Sequence, residues 1–289
     1  MLKYIVKSMR LEQLMKNFFV FAGLVFSLSA SNLTLFYKST LAFIIFCLIS
    51  SAVYIFNDIV DIKADRRHPD KAIRPIAAGK LPINIALAVG IGLSACSFIG
   101  GFYLNLYFGI IILSYFILNV AYSLALKRIA IIDIFTISFG FVLRVVGGIV
   151  VIGQLLAPWI LFCTLFLALL ISLGKRRAEI MLLKDSADEH RPALQQYPLQ
   201  FLDYLILLVA TSTVMAYSLF TFTSGKTQLL MLTIPFVLYG VFRYLYLIYV
   251  IHEGGAPTEL IIKDKPLFVN CLIWIFVCIL ILYFKKSSS

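Results

Sequence analysis

Apolar residues in this chain fall into long unbroken runs, not into the alternation of a half-buried strand or the three-and-four spacing of a surface helix. Each run is bounded by a short cluster of charged or turn-forming residues. A helix rises about 1.5 Å per residue, so roughly 20 apolar residues cross the ~30 Å hydrocarbon core of a bilayer. Nine stretches meet that length, at about 14–35, 39–60, 82–102, 105–124, 131–151, 155–174, 201–222, 228–250 and 266–284. In lipid a span must satisfy its own backbone polar groups, which a helix does and an open sheet does not. The expected fold is therefore all-α: a polytopic membrane bundle of nine transmembrane helices, forming one domain over residues 1–289, with loop helices on one side covering the site.

Composition agrees, since 62% of the 289 residues are hydrophobic and only 13% are charged, more oil than a water-soluble domain can bury. The opening segment Met1–Lys16 is basic and amphipathic and lacks the short apolar core of a cleavable signal, so the N-terminus is expected to stay cytosolic. Cys47, Cys96, Cys163, Cys271 and Cys278 lie inside apolar runs without CxxC or Cys/His spacing, which supports packing roles and neither zinc nor a disulfide framework.

With nine spans the termini lie on opposite sides, and 19 of the 25 Lys and Arg residues fall on the inner face, as the positive-inside rule requires. Lys38, Lys226, Lys285 and Lys286 lie outside, and Arg144 and Arg243 fall within spans. All 14 carboxylates, Glu12 to Asp264, are also at or near the inner face, a bias the insertion rule does not demand. Chemistry is expected there, at the cytosolic side of the cell inner (plasma) membrane. The net charge of +11 is explained by basic loops against anionic headgroups, and no soluble module exists to present a nucleic-acid surface.

The second span runs directly into Tyr54-Ile-Phe-Asn57-Asp58-Ile-Val-Asp61-Ile-Lys-Ala-Asp65-Arg66-Arg67-His68-Pro69-Asp70-Lys71-Ala-Ile-Arg74-Pro75. At 100° per residue Tyr54, Asn57, Asp58, Asp61 and Asp65 fall within about 100° of arc, stacking their oxygens on one helix face. Such oxygens suit Mg²⁺, which keeps several waters and shares substrate phosphates. Lys71 and Arg74 follow closely enough to neutralise phosphate oxygens that the metal leaves free. A solvated helix end with Asp–Lys and Asp–Arg pairs four apart is the plainer alternative, but it leaves unexplained why acids continue the face of an apolar span. His68, before Pro69, reads as a turn residue, and Gly79 permits the return into the third span.

Two later loops add cations. Tyr122 and Lys127-Arg128 close the fourth span, and the fifth carries Asp133 and, roughly 16 Å further in, Arg144. An intramembrane arginine marks a functional site or a structural ion pair, here with Asp133 on the same face. Its flanks Gly140 and Gly148 permit close helix approach. Gly174-Lys175-Arg176-Arg177 closes the sixth span, as ordinary positive-inside bias or as a grip on a lipid phosphate.

Asn57-Asp58-x-x-Asp61-x-x-x-Asp65 after a second span, and its Asp65-Arg66-x-His68-Pro69-x-Lys71-x-x-Arg74-Pro75 continuation, resemble the polyprenyl-phosphate phosphoribosyltransferases (decaprenyl-phosphate phosphoribosyltransferase-like) of the UbiA superfamily. Lys16-Asn17, Tyr122 to Asp133, Gly174-Lys175-Arg176 and Gly254-Gly255-Ala256-Pro257 to Asp264-Lys265-Pro266 are similar as well. The resemblance implies a Mg²⁺-dependent transfer of phosphoribose from 5-phosphoribosyl 1-diphosphate (PRPP) to a polyprenyl phosphate in the membrane, with release of diphosphate. It implies Asn57 and Asp61 as metal ligands, and Asp58, Asp61 and Asp65 as the catalytic acids. Lys16, Tyr54, Lys71, Arg74, Tyr122, Lys127, Asp133 and Arg144 fall on the PRPP side, and Arg128, Lys175 and Arg176 on the lipid phosphate. Where aromatic prenyltransferases of the superfamily carry a second Asp-x-x-x-Asp, this chain has Asp133 followed by Ile137, which weakens one metal arm. The alternatives are prenyl transfer from a prenyl diphosphate to an aromatic or other small acceptor, and a transporter. A transporter would need internal repeats or paired broken helices, of which the sequence gives no convincing sign. A homo-oligomer is compatible with glycine pairs such as Gly147-Gly148, which pack equally well within one subunit.

Overall fold

A computed structural model describes residues 1–27, 32–67, 71–155, 158–182, 196–223, 227–253, 260 and 263–287. Among them there is no strand. The described helices are numbered here α1 Leu2–Ser8, α2 Ala22–Phe26, α3 Leu33–Val60, α4 Ile62–Arg67, α5 Ile83–Leu104, α6 Leu106–Leu124, α7 Ile132–Val151, α8 Pro158–Leu182, α9 Leu199–Thr223, α10 Ile234–Tyr249 and α11 Lys265–Ser287. Eight spans among the described residues are long and apolar enough to cross a membrane: α3, α5 to α9, Gln228–Tyr249 and the first part of α11.

The expected first span, 14–35, is not one of these. The chain runs as a 3₁₀ helix over Leu11–Phe21 and then as the short α2. Because a 3₁₀ helix rises about 2.0 Å per residue, Leu11–Phe26 still reaches roughly 30 Å, about the thickness of hydrocarbon. Periodicity cannot foresee this stretching. The structure supplies a tertiary reason, since Gly148 of α7 lies under the Val20 carbonyl, where an added Cβ would come within 1.9 Å. The 3₁₀ segment is pressed onto α7 at a point where only glycine leaves room.

The chain groups into two compact units, Met1–Leu156 and Ala157–Ser289. In the first, α3 has α5, α6, α7 and the 3₁₀ segment around it. Ala42, Ile45, Phe46, Ile49 and Val53 supply its buried face and pack with Val20, Phe108, Ile112, Tyr115 and Val151, the three-and-four spacing of one helix side. The opposite surface is also apolar: Leu87, Ile91 and Ile99 of α5 and Ile110 and Ile117 of α6 are exposed, as lipid-facing residues are and as a water-soluble surface is not. A second cluster, Ile55, Ile76, Leu81 and Ala86, receives Tyr4, Ile5 and Met9 from the N-terminal segment, so α1 packs over the loop that follows α4. Gly79 turns that loop at φ +70. In the second unit α8 packs along α9, and α10 lies against α9 and α11. Asp264 caps α11 by accepting from Leu267 N–H at 2.9 Å and holds Arg243 of α10 through two bonds of 3.1 and 2.7 Å.

Candidate active site

The acidic stretch at the end of α3 is where most of the expected residues lie. Asp61 ends α3 and α4 starts at Ile62, but Asp61 N–H donates to Asn57 O at 2.9 Å and Asp65 N–H to Asp61 O at 2.8 Å, so the helical course persists through the break. The expected single acidic face divides in two. At 100° per residue Asn57 and Asp61 lie about 40° apart and Asp58 and Asp65 about 20° apart, at the two ends of one arc.

Asp58 and Asp65 form the closed half. Both are buried, at 2% and 3% exposure. Arg74 donates to Asp58 at 3.2 Å and to Asp65 at 2.6 Å, bridging them, and Arg10 also bonds the Asp58 carboxylate. The Arg10 guanidinium lies 5.2 Å from the centre of the half-buried Tyr54 ring. Arg10 takes φ 52, ψ 61, a left-handed conformation costing a non-glycine residue about 1–2 kcal/mol. Arg74, expected on phosphate, is thus bonded to carboxylates, because two buried acids need a cation more than solvent can supply one.

Asn57 and Asp61 form the open half. Asn57 Oδ1 accepts from Ser123 Oγ–H at 2.9 Å, and the Asp61 carboxylate accepts from Lys127 Nζ. Asp61 keeps a quarter of its side chain exposed, Lys127 about an eighth. Ser123 on the last turn of α6 and Lys127 in the turn just after it thus face Asn57 and Asp61 on the end of α3. Beside Ser123, Val53, Phe56 and Val60 of α3 and Asn119, Val120 and Leu124 of α6 line an apolar crevice.

Among the described residues no three His, Cys, Asp or Glu side chains gather into a metal cage. The open half nevertheless fits Mg²⁺, since an amide and a carboxylate oxygen are hard donors, a cation already sits on Asp61, and this ion completes its shell with water and phosphate.

Arg144, buried deep in α7, does not pair with Asp133. Its Nε donates to Asn17 Oδ1 at 2.7 Å, one terminal nitrogen to Gly140 O at 2.7 Å and the other to Tyr115 Oη at 2.8 Å. It also lies 4.7 Å from the Tyr115 ring and 5.3 Å from that of Phe141. Asn17, wholly buried, continues the network to Ser50 at 3.1 Å. All these partners are neutral, and among the described residues no carboxylate forms an ion pair with Arg144.

Of the other expected residues in the first unit, Lys16, Lys71 and Tyr122 are half-buried, Asp133 is buried in the first turn of α7, and Arg128 is exposed. Lys127 and Arg128 belong to a 3₁₀ turn, Leu126–Arg128. His68, Pro69 and Asp70, and the stretch Gly254 to Pro257, lie outside the described residues. In the second unit Lys175 is exposed, while Arg176, expected on a lipid phosphate, is 2% exposed and bonded to Glu179 at 2.6 Å. Its neighbour Arg177 holds Asp203 of α9 at 2.7 Å. Gly174 explains the depth of this run, for an added Cβ would meet Tyr244 Oη at 2.6 Å.

The sequence matches the UbiA prenyltransferase family over residues 17–272, across both units. The chain belongs to that family. Among curated UbiA-like relatives it is 34% identical to the decaprenyl-phosphate phosphoribosyltransferase of Corynebacterium glutamicum, over 96% of this chain and 86% of that one. It is 31% identical to the protein of the same name from Mycobacterium tuberculosis, over 94% and 91%. A UbiA homolog from Archaeoglobus fulgidus, solved with DMAPP and Mg²⁺, superposes with a TM-score of 0.73 at 15% identity, over 96% of this chain and 99% of that one. Family and apolar helices together make this a multi-pass helical membrane protein.

Proposed function

We propose that this protein transfers the 5-phosphoribosyl group of PRPP to a polyprenyl phosphate of decaprenyl type, releasing diphosphate and making a precursor of the decaprenylphosphoryl arabinose kind. The observation that carries the reading is the open pair Asn57 and Asp61 with Lys127 against it, in a chain whose relatives of that activity name align over 94–96% of its length.

Asn57 and Asp61 would hold Mg²⁺, which when bound draws charge from the departing diphosphate. Lys127, Lys16 and Lys71 supply further positive charge to its oxygens, with Tyr54, Tyr122 and Asp133 on the same donor side. Arg144, with no carboxylate in ion-pair reach among the described residues, adds positive charge to the interior. The donor C1–O bond to diphosphate breaks through an oxocarbenium-like state and a C1–O bond to the lipid phosphate forms. A phosphate monoester is largely dianionic near neutrality, its second pKa being about 6, so no general base is needed, and in-line attack inverts the α donor to a β product. Arg128, exposed in the first unit, would meet the lipid phosphate; of the two cations expected with it, both in the second unit, Lys175 is exposed and open to such a phosphate, whereas Arg176 is buried on Glu179 and belongs to the scaffold. Asp58 and Asp65, with Arg10 and Arg74, hold α3 and the following loop in register as a positioning cluster.

The two units act in this reading as one UbiA-like domain over 1–289. Counting Leu11–Phe26 as a crossing restores nine passes, with the N-terminus and the site cytosolic in the plasma membrane and the C-terminus opposite. A homo-oligomer would use surfaces other than Gly147 and Gly148, which Phe46 and Val20 already cover. The test is mass spectrometry of lipid products after incubating purified protein with PRPP and a mixed polyprenyl-phosphate pool, beside prenyl diphosphate with an aromatic acid. A polyprenyl-phosphoryl phosphoribose in the first arm is expected; a prenylated aromatic acid with none of it would overturn the assignment.

A further inference from the structure

We propose that Lys127 is an exchangeable counter-ion: it neutralises Asp61 while no metal is bound and passes to the diphosphate when the metal-bound donor arrives. The proposal rests on the reading above that Asn57 and Asp61 ligate a divalent ion.

Both oxygens that a hard cation would use already accept a proton donor, Asn57 Oδ1 from Ser123 and Asp61 Oδ1 from Lys127. The pair is thereby held side by side without a metal, and the Asp61 carboxylate at the end of an apolar span keeps a compensating positive charge. A divalent ion on that same oxygen repels the ammonium at close range. Its displacement brings no isolated lysine into lipid, because the incoming diphosphate supplies more negative charge than Asp61 gives up.

Ser123 and Lys127 differ in how free they are to move. Ser123 lies on the regular α6, which fixes it on Asn57 as a positioning residue. Lys127 lies beyond the end of that helix, in the turn Leu126–Arg128. Its segment returns to α7 through Ile131 at φ 69, ψ −48, where Ile132 N–H bonds back to Ala130 O at 2.8 Å. That is a γ-turn of the rare positive-φ kind, strained for any side chain and more so for a β-branched one. Strain of this sort collects at segments with a second arrangement. A lysine on the rigid helix could only stay on Asp61 or lose it; on this turn it can follow the phosphate.

The experiment uses the full chain purified in detergent and measures two affinities, Mn²⁺ alone by electron paramagnetic resonance and radiolabelled magnesium diphosphate by filter retention. Lys127→Met is expected to tighten Mn²⁺ about tenfold, within the usual range of coupling between sites, and to weaken magnesium diphosphate by a similar factor. Lys127→Gln, which keeps a hydrogen-bond donor for Asp61 but not the charge, is expected to shift both in the same directions. Weakening of both affinities would mean that Lys127 only braces the fold, and would overturn the proposal, as would Mn²⁺ affinity unchanged from wild type. Tighter Mn²⁺ with unchanged diphosphate would also overturn it, leaving simple repulsion without exchange. Asp61→Asn serves as the control on the underlying reading: if it leaves Mn²⁺ binding intact, the metal assignment fails independently of Lys127.

Discussion

Asp58 and Asp61 stand three residues apart on one helix end and meet opposite surroundings. Asp58 is sealed, with two arginines on a carboxylate that is 2% exposed. Asp61 is a quarter exposed and faces Lys127. A carboxylate locked between guanidinium groups has little left to offer a ligand, whereas one facing a flexible ammonium at an open edge can trade partners. In the proposed function the closed acid therefore serves the scaffold and the open one the chemistry, although sequence spacing alone treats them alike.

The largest stability effect expected from this contrast is at Asp58. Asp58→Ala leaves Arg10 and Arg74 without their shared carboxylate and should cost about 3–5 kcal/mol, the penalty for breaking one side of a buried ion pair. Thermal unfolding in detergent checks it, and a variant as stable as wild type would break the comparison. Next comes Arg144→Lys, which keeps the charge but loses the three-way bonding to Asn17, Gly140 and Tyr115. It should lower stability by about 2 kcal/mol, in the range for hydrogen bonds to charged groups, while the folded fraction keeps most of its turnover, since electropositivity is retained.

The smallest effect concerns an ion pair of the second unit, outside both clusters. Hydrogen bonding from Arg243 holds the Asp264 carboxyl below its ordinary value of 3.8. A group lowered in the folded state stabilises fully above its unfolded value and loses that contribution as pH falls through the folded one. Acid unfolding profiles of wild type and Asp264→Asn should therefore separate above about pH 3.8 and converge below it. Curves that stay parallel throughout would show that the pair adds nothing.

Much of the fold was legible because lipid imposes a simple rule on helices, and α3 and α5 to α11 follow the apolar runs closely. The 3₁₀ course of Leu11–Phe21 was not, because it answers to Gly148 of α7 more than a hundred residues away. The acidic motif was legible from its spacing as one helix face, but its division into 57 with 61 and 58 with 65 was not, because it depends on which cations other elements bring to each carboxylate. Arg10 was hidden, since an N-terminal cation is also what positive-inside topology produces, and its tie to Asp58 spans 48 residues. Ser123 was hidden too, because a serine inside an apolar run usually bonds its own helix, as Ser94 and Ser138 do here. For Arg144 the sequence offered Asp133 as its structural partner, because the two share a helix face, whereas the observed bonds to Asn17 and Tyr115 depend on packing between elements.

The central claim is tested most directly by transfer from radiolabelled PRPP to lipid in membranes containing equal amounts of wild type and Asp61→Ala. Loss of about a thousandfold or more in rate, the scale of removing a group that stabilises developing charge, is predicted with unfolding midpoints that stay close. Full transfer by Asp61→Ala would contradict it.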